Sequence, residues 1–257
     1  CFAETQEPEA LVEANPHGFH WRAVIEDFKT FLHIIRINGP LLRVFLCMIV
    51  SSLAFTMTNK CLTYYIIHYL ERPDLRQYLL PFALFVNLLF CPIWGLVAQW
   101  LSKRNAWLIA NALSIVAYLL FYVTDSRDPL TNAFFLGLIS AGNAAYITLV
   151  WAMLPDTVEY TQWKTGVRHD AKVFGVASFS KQLALGINGL LLGFLLSTIG
   201  YQSAAATQSA EAIEGIKVIM TLVPLAGLIM SGALIWGYPI DQRFHQLMLD
   251  EIASRKA

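Results

Sequence analysis

Apolar residues run in six long blocks along this chain, at 41–69, 78–100, 106–123, 131–154, 171–199 and 216–238, with short polar stretches between them. At about 1.5 Å per helical residue, such blocks can cross the ~30 Å hydrocarbon core of a bilayer. A lipid core offers the backbone no hydrogen-bond partners, so they are expected to fold as helices. The pattern predicts an all-α integral membrane protein with six transmembrane helices over 41–238. Residues 1–40 are polar and read as a cytoplasmic linker, with Glu4, Glu7, Pro8, Glu9 and Glu13 near its start. Within it, 19–37 is amphipathic and is expected to lie on the membrane surface. Residues 239–257 read as a cytoplasmic tail.

The polar positions inside the blocks carry the functional information. Lys181 lies about ten residues into the fifth block, near the bilayer centre. A charge there costs at least about 2.5–3.5 kcal/mol, so it is expected to be paired or to face a wet pathway. Lys60 lies deep in the first block, though closer to its outer end. It reads either as a snorkelling lysine or as a second intramembrane cation suited to an anionic substrate. The fourth block offers Asn143, Tyr146, Thr148 and Trp151, and the first offers Thr58, Asn59, Thr63, Tyr64 and Tyr65. His68 reads as an interfacial residue. Small residues crowd the fourth and fifth blocks, Gly137 to Ala145 and Gly175 to Gly193, as closely packed membrane helices require.

Composition agrees with the pattern. The chain is 56% hydrophobic and 14% charged, against about 25% charged in a soluble domain. Net charge is zero, which implies no nucleic-acid partner. Cys47, Cys61 and Cys91 sit in apolar blocks without C-x-x-C spacing and read as buried small hydrophobes. Lysine and arginine favour one side: Arg22, Lys29, Arg36, Arg43, Lys103, Arg104, Lys164, Arg168, Lys172, Arg243, Arg255 and Lys256. The other side holds Arg72, Arg76, Arg127 and Lys217. The positive-inside rule then places both ends of the chain in the cytoplasm. No loop is large enough for an enzyme domain, and no nucleophile–base set or metal-ligand spacing occurs, so no enzyme, cofactor or metal site is expected. The chain begins with Cys rather than Met, which reads as a fragment.

Two loop sequences go further. GLVAQWLSKRN, at 95–105, is similar to the loop signature of the major facilitator superfamily: Gly95, Ser102, Lys103 and Arg104 match, and Gln99 stands where an acid is expected. Gln99 can hydrogen-bond but cannot form that ion pair. LPDTVEYTQWKTGVRHDAKVFGVASFSKQ, at 154–182, resembles the glycoside–pentoside–hexuronide:cation symporters, the melibiose-permease group of that superfamily. Pro155-Asp156, Glu159-Tyr160, Trp163-Lys164, Thr165-Gly166, Arg168 and Lys181 carry the match, with Gly200-Tyr201 further on. Gln162 departs from it, since an acid is common there.

The resemblance implies the C-terminal half of a twelve-helix transporter in the bacterial inner membrane, with these six spans as helices seven to twelve. It implies symport of a sugar, glycoside or hexuronide with Na+ or H+, the coupling ion being bound mainly by the other six-helix half. Lys181 would lie near sugar and cation. Asp156, Glu159, Lys164, Arg168, Lys103 and Arg104 would form a cytoplasmic gate, with Asp156, Glu159 and Arg168 pairing across to the other half. The alternative for those charges is a solvated loop that pairs locally. Tyr146, Asn143, Trp151, Tyr64 and Lys60 are candidates for the substrate pathway. Trp151 reads as an interface anchor ahead of a sugar contact. Two other functions stay open: a non-transporting sugar sensor or relic, and a self-contained six-helix channel or carrier.

Overall fold

The computed structural model describes residues 36–203, 205 and 207–255. The amphipathic segment expected at 19–37, like the rest of the linker before Arg36, lies outside the described residues except at its last two positions. Six helices are long and apolar enough to cross a membrane. They are α1 (Gly39–Tyr64), α2 (Arg76–Leu101), α3 (Lys103–Thr124), α4 (Pro129–Thr165), α5 (Asp170–Thr198) and α6 (Ala210–Trp236); a shorter α7 (Gln242–Ser254) follows. The sequence explains most of the boundaries. Asn38, Ser102, Asp128, Ser209 and Asp241 each cap a helix by accepting from a backbone N–H in its first turn. Gly166, at φ 76°, ends α4 in the left-handed conformation that glycine adopts without strain. At its far end α1 passes into a π turn, Tyr65–Tyr69.

Two boundaries differ from the expectation. The fourth span does not stop at residue 154. It runs through Pro155 to Thr165, 37 residues in all, so most of the motif read as a loop is helical. Proline removes one backbone donor near this point, but side chains engage the local carbonyls: Thr157 Oγ1 donates to Leu154 O at 2.7 Å and Lys103 Nζ to Ala152 O at 2.9 Å. The other difference is Lys217. It is not a loop residue but lies two turns inside α6, buried. The polar run after 200 supplies the first turns of that helix because Ser209 caps it.

The packing repeats itself. α1 packs on α6 and α4 on α3; α2 lies along α4 and α5 along α1; α3 meets α6, and α1 meets α4. Exchanging the first three helices for the second three maps this set of contacts onto itself. Three spans per unit is an odd number, so the two units run through the membrane with inverted topology. Close approaches occur where small residues permit them: a Cβ on Gly142 would run into Ser114 of α3, and one on Gly227 would lie 3.0 Å from the Ala54 side chain of α1. α2 and α5, equivalent under the exchange, are the lightly covered pair. α2 buries only Leu79, Trp94 and Ala98. Leu84, Phe85, Leu88, Leu96 and Trp100 are exposed along it.

Candidate functional site

α1 has one open face. At about 100° per residue, Leu42, Leu46, Ile49, Leu53, Thr56, Lys60 and Ile67 fall on a single stripe, and these residues are half-buried or exposed. The stripe is apolar except near the membrane centre, where Thr56, Asn59, Lys60 and Thr63 form a polar patch. Lys60 occupies the middle of the stripe. Its Nζ lies against Gly189 of α5, 3.7 Å from where a Cβ would stand. Asn188, the neighbour of that glycine, fixes α5 at this height by donating to Leu53 O at 2.8 Å.

Asn143, Ile147 and Trp151 share the corresponding open face of α4. Among the described residues, Asn143 Oδ1 has no hydrogen-bond partner. It borders a cleft of about 20 Å³ that Thr58, Asn59 and Ser140 also line, the size that one water or one hydroxyl fills. Sequence alone cannot show that Asn59 and Asn143 line one cleft, since they lie on different helices. Trp151 stacks on Phe174 of α5, with ring centroids 6.5 Å apart and planes 6° from parallel. Its ring thus meets a neighbouring helix. Lys181 is exposed on α5, two helical turns from Phe174 on the same side of the helix. Among the described residues it has no hydrogen-bonding or ionic partner.

Two expected pathway residues are engaged by aromatic neighbours. Tyr146 points into the core: its hydroxyl donates to Met48 O at 3.3 Å and its ring packs edge-on against Trp107. It lies one residue, about 100° of rotation, from the open face that Ile147 occupies. Tyr64 packs edge-on against Tyr201, whose hydroxyl lies 3.3 Å from His68 Nε2. That group closes the far end of the bundle, one helical turn beyond Lys60.

The end of the bundle richest in lysine and arginine, here the basic end, holds a tight charge cluster. Asp156 is buried, its side chain 7% exposed, and Lys103 Nζ donates to both its oxygens at 2.7 and 2.8 Å. His245 of α7 lies 2.5 Å from Glu159 and 3.7 Å from Asp156. Asp156, Glu159 and His245 offer three ligand atoms within 4.8 Å of one another, but the Lys103 ammonium already neutralises Asp156. The cluster ties α3, α4 and α7 together. Asp156 pairs within this chain, with Lys103, because the extension of α4 past Pro155 carries it to the start of α3. Arg168 is not in the cluster. It is exposed and pairs with Asp170 at 2.6 Å, the local pairing that was the alternative. Lys164 donates to Ile37 O at 3.3 Å and lies over the Tyr160 ring. Arg104 is half-buried without a partner among the described residues. At Gln99 the backbone carbonyl, not the side chain, is engaged, by Gln242 Nε2 at 2.8 Å.

A second cluster at the opposite end was not foreseen. Lys217 of α6, 5% exposed, donates to Asp125 Oδ1 at 2.5 Å, and the Tyr69 hydroxyl donates to the same carboxylate. Lys217 also lies over the Tyr122 ring, 4.9 Å from its centroid. These bonds, the lysine's first and the tyrosine's second, hold the Asp125 carboxyl below the usual carboxylate range.

The MFS/sugar transport protein family model matches residues 2–242. The chain belongs to this family. It is therefore a multi-pass membrane protein of a transporter family, not an enzyme. It is 28% identical to the glucuronide carrier protein homolog of Escherichia coli (strain K12), with all of this chain and 54% of that protein covered. It is 29% identical to the uncharacterized symporter YjmB of Bacillus subtilis (strain 168), over 97% and 53%. It is 28% identical to the isoprimeverose transporter of Lactiplantibacillus pentosus, over 86% and 46%. The chain spans about half the length of the curated relatives it matches.

Proposed function

We propose that these six helices are the second half of a cation-coupled sugar carrier of the bacterial inner membrane, working by alternating access. The observation that carries the reading is the open side of the bundle. Lys60, Asn59, Asn143 and Lys181, polar groups that a membrane interior disfavours, stand along it at mid-membrane depth on α1, α4 and α5. The repeat-related helices α2 and α5 flank it with large uncovered faces. A partner half seated across that side would enclose a polar path in an apolar wall. Names borne by the relatives, a glucuronide carrier homolog, a symporter and an isoprimeverose transporter, support a sugar or sugar acid moved with a coupling ion. The basic end then faces the cytoplasm, with both ends of the chain on that side.

In this reading Lys181 is the coupling-site cation. Its ammonium donates to sugar hydroxyls and to a carboxylate of the first half, and competes there with Na+ or H+. The Lys103–Asp156–His245–Glu159 cluster holds the basic end of this half together while the two halves rock.

The test uses the complete reading frame, expressed in cells without their own sugar carriers. Labelled uptake of glycosides, pentosides and hexuronates is recorded together with external pH and Na+. Substrate-driven cation entry, lost in Lys181→Ala, is expected. Uptake without cation movement would make the protein a facilitator. No uptake of any sugar, in wild type and variant alike, would favour the sensor or relic.

A further inference from the structure

We propose that Lys60 sets the charge preference of the carrier, taking the carboxylate or sulfonate of an anionic sugar derivative. This rests on the carrier reading above and assigns the second lysine a task distinct from that of Lys181.

The argument begins with charge. In the six spans, Asp and Glu occur only at Asp74, Asp156, Glu159, Asp170, Glu211 and Glu214, all toward the helix ends or in the extension of α4. Among the described residues, the middle of the six spans therefore holds two ammonium groups and no carboxylate. An ammonium in low dielectric is stable only beside an anion or water. Snorkelling serves Lys60 poorly, because its Nζ lies against α5 at Gly189, next to the Asn188 that is tied to Leu53 O, nearer the middle of α1. The small residue matters, since a side chain longer than a methyl group there would compete for the space the amine occupies. Lys60 is half-buried, at the centre of the open stripe of α1. Thr56, Asn59 and Thr63 surround it with neutral donors and acceptors suited to sugar hydroxyls.

The two lysines are also set apart. Gly189 is eight residues beyond Lys181 on α5, about 12 Å along the helix. One sugar-sized molecule can place its anionic group at Lys60 while Lys181, deeper toward the basic end, stays with the coupling carboxylate. The chemistry that Lys60 recognises is a monoanionic oxyacid next to hydroxyls, as a uronide or a sulfonated sugar presents.

The experiment compares methyl β-D-glucuronide with methyl β-D-glucoside, which differ at one carbon, in the full-length carrier. The readout is the ratio of the two kcat/KM values for uptake. Wild type is expected to favour the glucuronide. Lys60→Met should lower the ratio by about 10–100-fold, as loss of a charge-assisted hydrogen bond predicts, and Lys60→Arg should keep most of it. Gly189→Val, which leaves the charge and crowds the amine, should lower the ratio as well and covers the case in which Lys60→Met does not insert. A wild type that carries only the neutral glucoside overturns this inference and leaves the carrier reading standing. An unchanged ratio in Lys60→Met, or equal loss of both substrates there, overturns it too, the second outcome by showing that Lys60 pairs with a protein carboxylate. Failure of wild type to take up any sugar counts against the carrier reading itself.

Discussion

The two ends of the bundle are held by ion pairs of opposite construction. At the basic end the carboxylate is the buried partner: Asp156 is 7% exposed, while Lys103 is 34% exposed. At the other end the ammonium is buried: Lys217 is 5% exposed, while Asp125 is 50% exposed. The exchange that relates the two halves of the fold relates these sites as well. Lys103 opens α3 and Lys217 lies near the start of α6; the former meets the far part of α4, the latter meets the far end of α1 at Tyr69. The two lysines thus hold equivalent positions with the buried sign reversed, while their carboxylates differ in place: Asp156 lies on α4 and Asp125 ends α3. The difference teaches which partner each site can spare. Deleting the exposed member leaves a buried charge alone, whereas deleting the buried member leaves a charge that water can solvate.

The largest expected effects follow from that asymmetry. Among the described residues, Lys103→Met leaves Asp156 with only His245 as an ionic partner, 3.7 Å away, and Asp125→Asn leaves Lys217 with only Glu214, also 3.7 Å away. Each should cost about 3 kcal/mol, measured by chemical unfolding of the purified full-length protein in detergent. The double substitution Lys103→Met with Asp156→Leu should recover most of that loss, because an apolar pair of similar size replaces the buried charges.

A pH series distinguishes the two ends. Asp125 ionises in the fold below the ~3.9 of an unfolded aspartate. Its contribution is complete above that value and drains away as pH falls through the lower, folded-state value. The gap in Tm between wild type and Asp125→Asn should therefore be flat near neutrality and narrow below about pH 4. A gap that widened there would contradict the depressed carboxyl.

Gly166→Ala offers a charge-free yardstick at the basic end. Nothing lies within 4 Å of a Cβ at that position, so the φ of 76° alone sets its cost, about 1 kcal/mol. Smallest of all should be the converse deletions. Asp156→Asn and Lys217→Met leave the better-solvated partner behind and should each cost less than about 1 kcal/mol in the same assay. If either exceeded its counterpart, Lys103→Met or Asp125→Asn, the reversal of the buried sign would be wrong.

Sequence patterning foretold one of these ends and not the other, for physical reasons. Lipid imposes long apolar runs, so the six spans stand out, and their starts and stops fall within a few residues except at α4 and α6. Pro155 and the charges after it imitate a loop, because nothing in the sequence says that Lys103 and Thr157 will engage the carbonyls around it. Lys103 and Asp156 were legible because the motifs that hold them are charged and distinctive. Lys217 was misplaced because Glu211, Glu214 and Lys217 together read as a polar connection, although two of the three are first turns of a helix and the third turns inward. Asp125 and His245 gave no signal: a single aspartate in a turn and a histidine in a tail acquire meaning only when distant helices bring them a partner. Among the candidate pathway residues, Asn143, Lys60 and Trp151 reached the open side, whereas Tyr146 missed it by one residue, a rotation that periodicity cannot resolve in a helix apolar on nearly every face.

One consequence of the 37-residue α4 is mechanical. At about 55 Å it is nearly twice the thickness of the hydrocarbon layer, and it carries Asn143 and Trp151 in its middle and Trp163 near its tip. Such a rod pivots as a lever: a small lean about its centre becomes a larger sweep at the tip, out in water. Through Trp163, whose indole donates to Glu251 of α7 at 2.7 Å, that sweep is passed to the last helix of the chain. In the carrier reading proposed above, a lean of α4 would thereby reach α7 on the aqueous side, where a fluorophore could report it without touching the open face of the bundle.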